Sequence, residues 1–331
     1  MKGFCYNNIK DDIAENVTKR TKKGTIMDEK RNDNDFLMKP KIDFAFKEIM
    51  TDEKARIGFL SAVLKIKPED VKETHILNPY LGKVHEEDKL GILDVHILMN
   101  DDTEIDTEIQ LSEMRVWANR SLFYASKMYT DQIEQGQKYD VLKKCVSISI
   151  LDFELFKDQE EFYSSFHIRE DQRNLLYTDK MEFHVIELPK LPKERKKDSS
   201  DVELWANFIN SEREEEFDML AKQNPYIESA YKKLQIISQD KEKRLEYEAR
   251  EKAIRDYNQS MYEAEQRGIE AGIEIGEQRG IEAGIKNMAE AYQKFGQSYK
   301  AAKEAVQEKY PNAEETLIDT IIQDVYNMQQ V

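Results

Sequence analysis

The stretch KLGILDVHILMNDDTEIDTEIQL, residues Lys89 to Leu111, decides how the rest of the chain is interpreted. Two apolar segments flank the turn-forming residues NDDT, and apolar residues alternate with polar ones in the second segment. This alternation is typical of a strand with one buried face, and the turn residues predict a β-hairpin. Its polar positions carry a row of carboxylates: Asp94, Glu104, Asp106 and Glu108. Like charges this close repel one another unless something compensates them.

The register of the hairpin decides which carboxylates meet. A three-residue loop, residues 100–102, places Met99 opposite Thr103. Counting back along both strands then places Asp94 opposite Glu108, with Cβ atoms about 4.5 to 5.5 Å apart. A divalent cation such as Mg²⁺ would turn this repulsion into coordination, because it prefers carboxylate oxygens. The alternative is a solvated edge strand, and a one-residue slip would separate the two carboxylates.

Two further hairpin residues have candidate roles. Gln110 emerges on the same face as Glu108, and its amide is expected to hydrogen-bond a metal-bound or attacking water. His96 shares the face of Asp94 and is a candidate general base, although a single histidine on a strand is more often structural.

The segments around the hairpin predict a mixed α/β domain over residues 36–190. Two short helices come first, in KIDFAFKEIM and DEKARIGFLSAVLKI, and Pro68 stops the second. ETHILNPY, CVSISILDFELF, EFYSSFHIR and MEFHVIEL have strand patterns. A longer helix is predicted from about Glu113 to Gly136, and its buried face is predicted at Trp117, Leu122, Phe123, Met128, Tyr129 and Ile133.

The regions outside this domain differ from it in composition. Residues 1–35 are polar and without periodicity, which predicts a disordered extension in which Met27 is an alternative start. Residues 191–201 predict a linker, and residues 202–331 a helical region. RGIEAGI occurs twice there, and glycine recurs every four residues at Gly268, Gly272, Gly276, Gly280 and Gly284. Each costs a helix about 0.8 to 1 kcal/mol relative to Ala, so the repeat indicates either close packing, as in a homodimer, or a flexible acidic arm.

The composition of the chain indicates in which compartment the protein works and which partners it can bind. The chain has 331 residues, two cysteines (Cys5 and Cys145) and a formal net charge of −16. Two cysteines support no disulfide framework, and no apolar run resembles a signal peptide or a membrane span, so a cytoplasmic protein with no membrane partner is expected. The net charge repels nucleic acid at long range, but basic stretches such as MKPK still offer local contacts.

The motifs also resemble a known family. A strand aspartate, a hairpin and a glutamate two residues before a lysine position, all preceded by a helix carboxylate, form the PD-(D/E)XK nuclease pattern. KPKIDFAFKEIM, DKLGILDVHI, DTEIQ, RSLFYASKMYTDQIEQGQKYDVLKKCVSISILDF and the glycine-and-glutamate repeats together resemble the Rpn family of recombination-promoting nucleases, often labelled PD-(D/E)XK family transposases. The likeness is close over about Met38 to Phe156 and loose in the C-terminal half.

The resemblance implies a restriction-endonuclease-like α/β core with a mixed sheet and a DNA endonuclease that depends on Mg²⁺ or Mn²⁺. It implies that Asp94 and Glu108 are metal ligands and that Asp43 is the helix carboxylate near the site. Gln110 takes the usual lysine position, a common choice in this family, but it brings no positive charge to the phosphate. Leu93 stands where the general pattern has proline.

The resemblance further implies a link to DNA recombination or mobile elements. Candidate DNA contacts are Lys39, Lys41, Lys47 and Arg120, the last with Tyr124 one helical turn away. Two alternatives stay open at this stage: a catalytically weakened nuclease fold that serves as an interaction protein, and an RNA nuclease.

Overall fold

The computed structural model describes residues 36–71, 73–78, 80–81, 91–193 and 198–327. Contacts within the chain divide it into two units, Met1–Glu251 and Lys252–Val331. Each unit has an apolar core of its own. The extension predicted for residues 1–35, with Met27, lies outside the described residues, as does part of the predicted linker, residues 194–197.

Two short helices open the first unit, as the apolar spacing predicted. Helix α1 spans Asp43–Met50 and helix α2 spans Glu53–Leu64. The Asp52 side chain caps the start of α2 by accepting a hydrogen bond of 2.8 Å from a backbone N–H of its first turn. The helix ends at Lys65, whose left-handed backbone comes three residues before Pro68, the predicted stop.

The strands form one mixed six-stranded sheet and a separate two-stranded pair. The strands are β1 Thr74–Ile76, β2 Tyr80–Leu81, β3 Gly91–Ile92, β4 Val95–Met99, β5 Glu104–Gln110, β6 Cys145–Leu151, β7 Tyr163–Arg169 and β8 Leu176–Glu187. The large sheet has the order β1-β4-β5-β6-β8-β7, and β2 pairs with β3. Strands β5, β6 and β8 run parallel, whereas the other pairs are antiparallel. This mixed sheet with its helices confirms the predicted α/β class.

The hairpin between β4 and β5 has the register that the sequence suggested. Met99 donates its backbone N–H to the Thr103 carbonyl at 2.9 Å, so three residues form the loop. The last of them, Asp102, has φ 62°, the left-handed conformation with which three-residue loops commonly end. Along the ladder Val95 pairs with Thr107, and the same register continued by one residue sets Asp94 against Glu108.

Helix α3 spans Trp117–Asp131 and is shorter than predicted. The prediction of its buried face is wrong at two residues, because Leu122 is 51% exposed and Phe123 is 43% exposed. The buried residues are Trp117, Tyr124, Ala125 and Met128. These follow the seven- and four-residue spacings of one helical face, and Leu122 and Phe123 point away from it.

Three further helices belong to the first unit: α4 Asp201–Asn210, α5 Glu214–Ala221 and α6 Pro225–Gln239. A chain of aromatic contacts joins them to α1 and α2 through Phe46, Phe59, Trp205, Phe208, Phe217 and Tyr231. These helices therefore share a core with the elements that precede the sheet. Whether residues 36–190 fold as a domain on their own stays a prediction.

The remaining helices are α7 Lys241–Lys294, α8 Tyr299–Lys309 and α9 Glu315–Asn327. In the second unit, α8, α9 and the end of α7 form a small core of Ile285, Ala289, Ala302, Val306, Ile318, Ile322 and Val325. Among the described residues, a Cβ added at Gly268, Gly272, Gly276 or Gly280 would meet no atom within 4 Å. At Gly284 it would overlap the Tyr310 hydroxyl, so of the five repeat glycines only this one has a packing role within the described chain. None of the described helices is long and apolar enough to span a bilayer.

Candidate active site

The end of the hairpin brings Asp94 against strand β5. Asp94 lies between β3 and β4, directly after Leu93, which is buried in an apolar cluster with Tyr124, Met128 and Cys145. Its Oδ2 atom accepts a hydrogen bond of 3.0 Å from the Ile109 backbone N–H. Burial of Leu93 and this hydrogen bond fix the carboxylate beside the middle of the sheet.

Strand β5 adds two more carboxyl groups on the same face. Asp106 and Glu108 alternate along the strand and are 1% and 2% exposed. Their partners on the parallel strand β6 are Ser147 and Ser149, both buried. A strip of buried polar side chains therefore crosses the middle of the sheet, beneath helix α3.

The carboxyl groups of this strip hold their protons more tightly than exposed ones. Burial, followed by the charge of Asp43, raises the pKa of Asp94 to about 6, although the N–H of Ile109 opposes the rise. Burial and then the charge of Asp94 raise the pKa of Glu108 to about 7. Burial and the charges of Glu108 and Asp94 raise the pKa of Asp106 well above its ordinary value. These mutual effects show that the three groups lie within electrostatic reach of one another.

Several carboxyl oxygens of the strip have unused hydrogen-bonding capacity. Asp106 Oδ1, Glu108 Oε1 and, on helix α1, Asp43 Oδ1 are buried and have no hydrogen-bond partner among the described residues. Buried polar atoms are normally satisfied, and carboxylate oxygens are the ligands that hard divalent cations prefer. No three His, Cys, Asp or Glu side chains in the described ranges are arranged to hold a metal by themselves. The donor set fits a cation held by one or two carboxylates, with water and substrate completing its shell.

Arg120 of helix α3 is the counter-ion of Glu108. Its Nε atom lies 3.4 Å from Glu108 Oε2. The guanidinium lies over two aromatic rings, with its central carbon 5.6 Å from the Trp117 centroid and 4.9 Å from that of Tyr124. Both rings are buried, and the guanidinium packs against them in cation–π contacts.

A second arginine, Arg250 near the start of helix α7, binds Asp43. Its Nε and Nη2 atoms lie 2.7 and 2.6 Å from Asp43 Oδ2. Asp43 is close enough for its charge to raise the pKa of Asp94. The helix carboxylate therefore lies within electrostatic reach of Asp94, and its role in the site stays a prediction. Nothing in the sequence pointed to its arginine partner.

The remaining predicted site residues have other contacts. The amide nitrogen of Gln110 donates to the Ser112 carbonyl at 3.1 Å. Lys39 and Lys41 both pair with Glu212, at 3.2 and 3.5 Å. Lys47 is exposed on α1.

His96 has the structural role that was the alternative to a general base. Its Nε2 atom lies 3.1 Å from Glu104 Oε2, and its Nδ1 atom lies 3.2 Å from the Asn78 carbonyl. Both ring nitrogens are engaged, and the side chain is buried. Glu104, the second carboxylate of the sequence row, therefore has His96 as a hydrogen-bond partner.

Asp106 is the site residue that sequence reasoning did not assign. A signal existed, since Asp106 precedes Glu108 by two residues and so shares its face. Its burial was not visible, because the same alternation also fits a solvated strand.

Comparison with known proteins identifies a family. Residues 40–264 match the model of a family described as PD-(D/E)XK nuclease family transposase. The match covers about two thirds of the chain and confirms the resemblance inferred from the sequence. No curated protein and no solved structure is significantly similar to the chain.

Proposed function

Because the chain belongs to the PD-(D/E)XK nuclease family transposases, we propose that it is a DNA endonuclease that hydrolyses phosphodiester bonds with the help of Mg²⁺ or Mn²⁺. The observation that carries the proposal is the cluster of carboxyl groups at Asp43, Asp106 and Glu108, each with a buried oxygen that has no hydrogen-bond partner in the described part of the chain. Such a cluster is costly to fold, which argues for a functional reason.

Asp94 and Glu108 are the residues that would hold the cation. The N–H of Ile109 orients Asp94, and Arg120 orients Glu108, so neither carboxylate has to be arranged when the cation binds. A bound Mg²⁺ or Mn²⁺ ion supplies Lewis acidity and positive charge at the scissile phosphate. Asp43 adds negative charge behind Asp94, and Gln110 is proposed to orient the attacking water through its amide oxygen.

DNA contacts are proposed at Lys39, Lys41, Lys47 and Arg120. Lys47 is exposed, whereas Lys39 and Lys41 share the carboxylate of Glu212, and Lys41 also pairs with Asp152 at 3.4 Å. Partly exposed ion pairs of this kind contribute about 0 to 1 kcal/mol, so a phosphate can replace these carboxylates at little cost. With a net charge of −16, such local contacts have to outweigh repulsion by the whole molecule.

The biological setting is also proposed. The family suggests a role in DNA recombination or in mobile elements, and the cysteine content favours the cytoplasm. We further propose a homodimer through the glycine repeats of α7, because cutting both strands of DNA requires two phosphodiester bonds to be broken. Two copies would bring two such sites.

The test is nicking of supercoiled plasmid DNA with Mg²⁺, with Mn²⁺ and with EDTA. We expect metal-dependent nicking by the wild type, and a loss of about 10²-fold or more in Asp94→Asn and Glu108→Gln. Glu160→Gln is the matched control, because it removes a carboxylate that is exposed. Equal nicking by Asp94→Asn, or a folded wild type without activity, would contradict the proposal.

The same assay separates the alternatives. Matched DNA and RNA oligonucleotides of one sequence distinguish a DNA nuclease from an RNA nuclease. A folded wild type that cleaves neither would favour the interaction protein, in which the missing lysine has removed the activity.

A further inference from the structure

Strand β5, which carries the proposed metal ligand Glu108, brings no basic side chain to the site. Gln110 has a neutral side chain, and its amide nitrogen donates to the Ser112 carbonyl at 3.1 Å. Hydrolysis of a phosphodiester increases negative charge on the phosphate oxygens, and positive donors placed there in advance stabilise that charge. A positive side chain from another element would make up for the neutral side chain of Gln110.

Arg120 has the position and the support for this task. Its Nε atom lies 3.4 Å from Glu108 Oε2, so the guanidinium is next to the proposed cation site. Trp117, 1% exposed, and Tyr124, 5% exposed, lie under it and limit its movement. The Arg120 side chain is 36% exposed, so one side of it faces solvent.

The other basic side chains near the site have different carboxylate partners. Arg250 binds Asp43 through two nitrogens, at 2.7 and 2.6 Å. Lys39 binds Glu212, and Lys41 binds both Glu212 and Asp152. In the part of the chain that the structure describes, Arg120 is the only side chain that forms an ion pair with Glu108.

We propose that Arg120 is a catalytic residue that binds a non-bridging oxygen of the scissile phosphate and takes over the charge of the missing strand lysine. The inference rests on the proposed nuclease function. Nε faces Glu108, and the two amino groups of the guanidinium are the donors for the phosphate.

In the reaction, the water oxygen forms a bond to phosphorus and its proton passes to solvent. The bond between phosphorus and the leaving sugar oxygen breaks, and that oxygen keeps the electron pair and takes a proton from solvent. Arg120 keeps its own proton throughout, because a guanidinium does not give it up in proteins.

The experiment moves the positive charge from the helix to the strand. We compare the wild type, Arg120→Gln, Arg120→Lys and the double variant Arg120→Gln with Gln110→Lys, in single-turnover cleavage at saturating protein with Mg²⁺. Arg120→Gln is expected to lower the cleavage rate by about 10²-fold, with a much smaller change in the Kd for DNA. The double variant is expected to recover at least about tenfold of that loss, because its lysine restores a charge at the phosphate. Arg120→Lys is expected to lie between the wild type and Arg120→Gln, because lysine keeps the charge but cannot bind bidentately.

Arg115→Gln is the matched control, because it removes an exposed arginine just before the same helix and should leave the rate unchanged. Thermal unfolding curves show whether each variant is folded. A wild type that cleaves and an Arg120→Gln variant that cleaves equally fast would overturn the inference alone, as would a loss confined to Kd or a folded double variant without recovery. A wild type that does not cleave contradicts the nuclease function, and the inference with it.

Discussion

Asp106 shows how strongly its surroundings in this site change the pKa of one carboxyl group. It is 1% exposed, its Oδ1 atom has no partner among the described residues, and its pKa is raised well above the ordinary value by burial and then by Glu108 and Asp94. It therefore keeps its proton to a higher pH than an exposed aspartate. The negative charge on the strip is smaller than the row of acidic residues in the sequence suggests.

Glu108 gives a testable dependence of stability on pH. Its pKa is about 7 in the folded chain, against an ordinary 4.5, so the folded state binds the proton more tightly than the unfolded state. The contribution of Glu108 to the free energy of unfolding is fully present below about pH 4.5, and it is lost as the pH rises through about 7. Without divalent cations, Glu108→Gln is therefore expected to be more stable than the wild type near pH 8, by up to about 3 kcal/mol, and similar to it near pH 4.5.

Urea unfolding in EDTA at both pH values measures this difference. Glu160→Gln, which changes an exposed carboxylate, should show none. A Glu108→Gln variant whose advantage does not grow with pH would show that the wild-type carboxylate is not held in a costly state.

The sequence was sufficient for the pairing of Asp94 with Glu108, because the loop length alone sets the register of a hairpin. It was not sufficient for Arg250. That residue is 207 positions from Asp43, and no local pattern connects the two. The burial of Asp106 could not be predicted from the sequence either, because it depends on helix α3 covering that face of the sheet.

At the level of elements, helix α3 shows where periodicity fails. Its apolar residues lie on more than one side, so a helical pattern can be drawn through Leu122 and Phe123 as well as through Tyr124 and Met128. In the structure the face with Tyr124 and Met128 is the buried one, and Arg120 lies where it can pair with Glu108. The choice is made by tertiary packing, which the spacing of one helix does not contain.

Helix α7 offers a matched pair of glycines for a second stability prediction. A Cβ at Gly280 meets nothing within 4 Å in the described chain, so Gly280→Ala is expected to stabilise the helix by about 0.8 to 1 kcal/mol. At Gly284 the new Cβ overlaps the Tyr310 hydroxyl, so Gly284→Ala is expected to be less stable than Gly280→Ala by about 1 to 3 kcal/mol. Thermal unfolding of the full chain, followed by far-UV circular dichroism, compares the two.

Tyr310→Phe provides the control for this pair, because it removes the hydroxyl that the new Cβ would meet first. In that background the difference between the two alanine variants should shrink. Equal stabilisation by both variants in the wild-type background would mean that Tyr310 does not pack on this helix.

At the scale of the whole molecule, the class of fold followed from alternation and helical spacing, whereas the predicted domain bounds stay a prediction. Composition changes near residue 190, yet the contacts divide the chain at Glu251. The reason is that α4 and α6 pack on α2 through contacts such as Phe59 with Trp205, between residues far apart in sequence. The composition of a segment indicates how polar and how flexible that segment is, but it does not indicate contacts between residues far apart in sequence.

The last prediction concerns self-association through α7. This helix exposes Ile269, Ile273 and Ile275 beside glycines that would weaken an isolated helix, a combination that close packing against a second copy explains. Leucine at Gly272, Gly276 and Gly280 meets no neighbour near its Cβ in the described chain, so the triple variant should fold and gain helicity. It should nevertheless dissociate at least about tenfold more readily, because bulky side chains hold two helix backbones apart. Light scattering over a range of protein concentrations gives the mass directly. A monomeric wild type, or a triple variant that dimerises equally well, would contradict the prediction and leave the helix as a solvated arm.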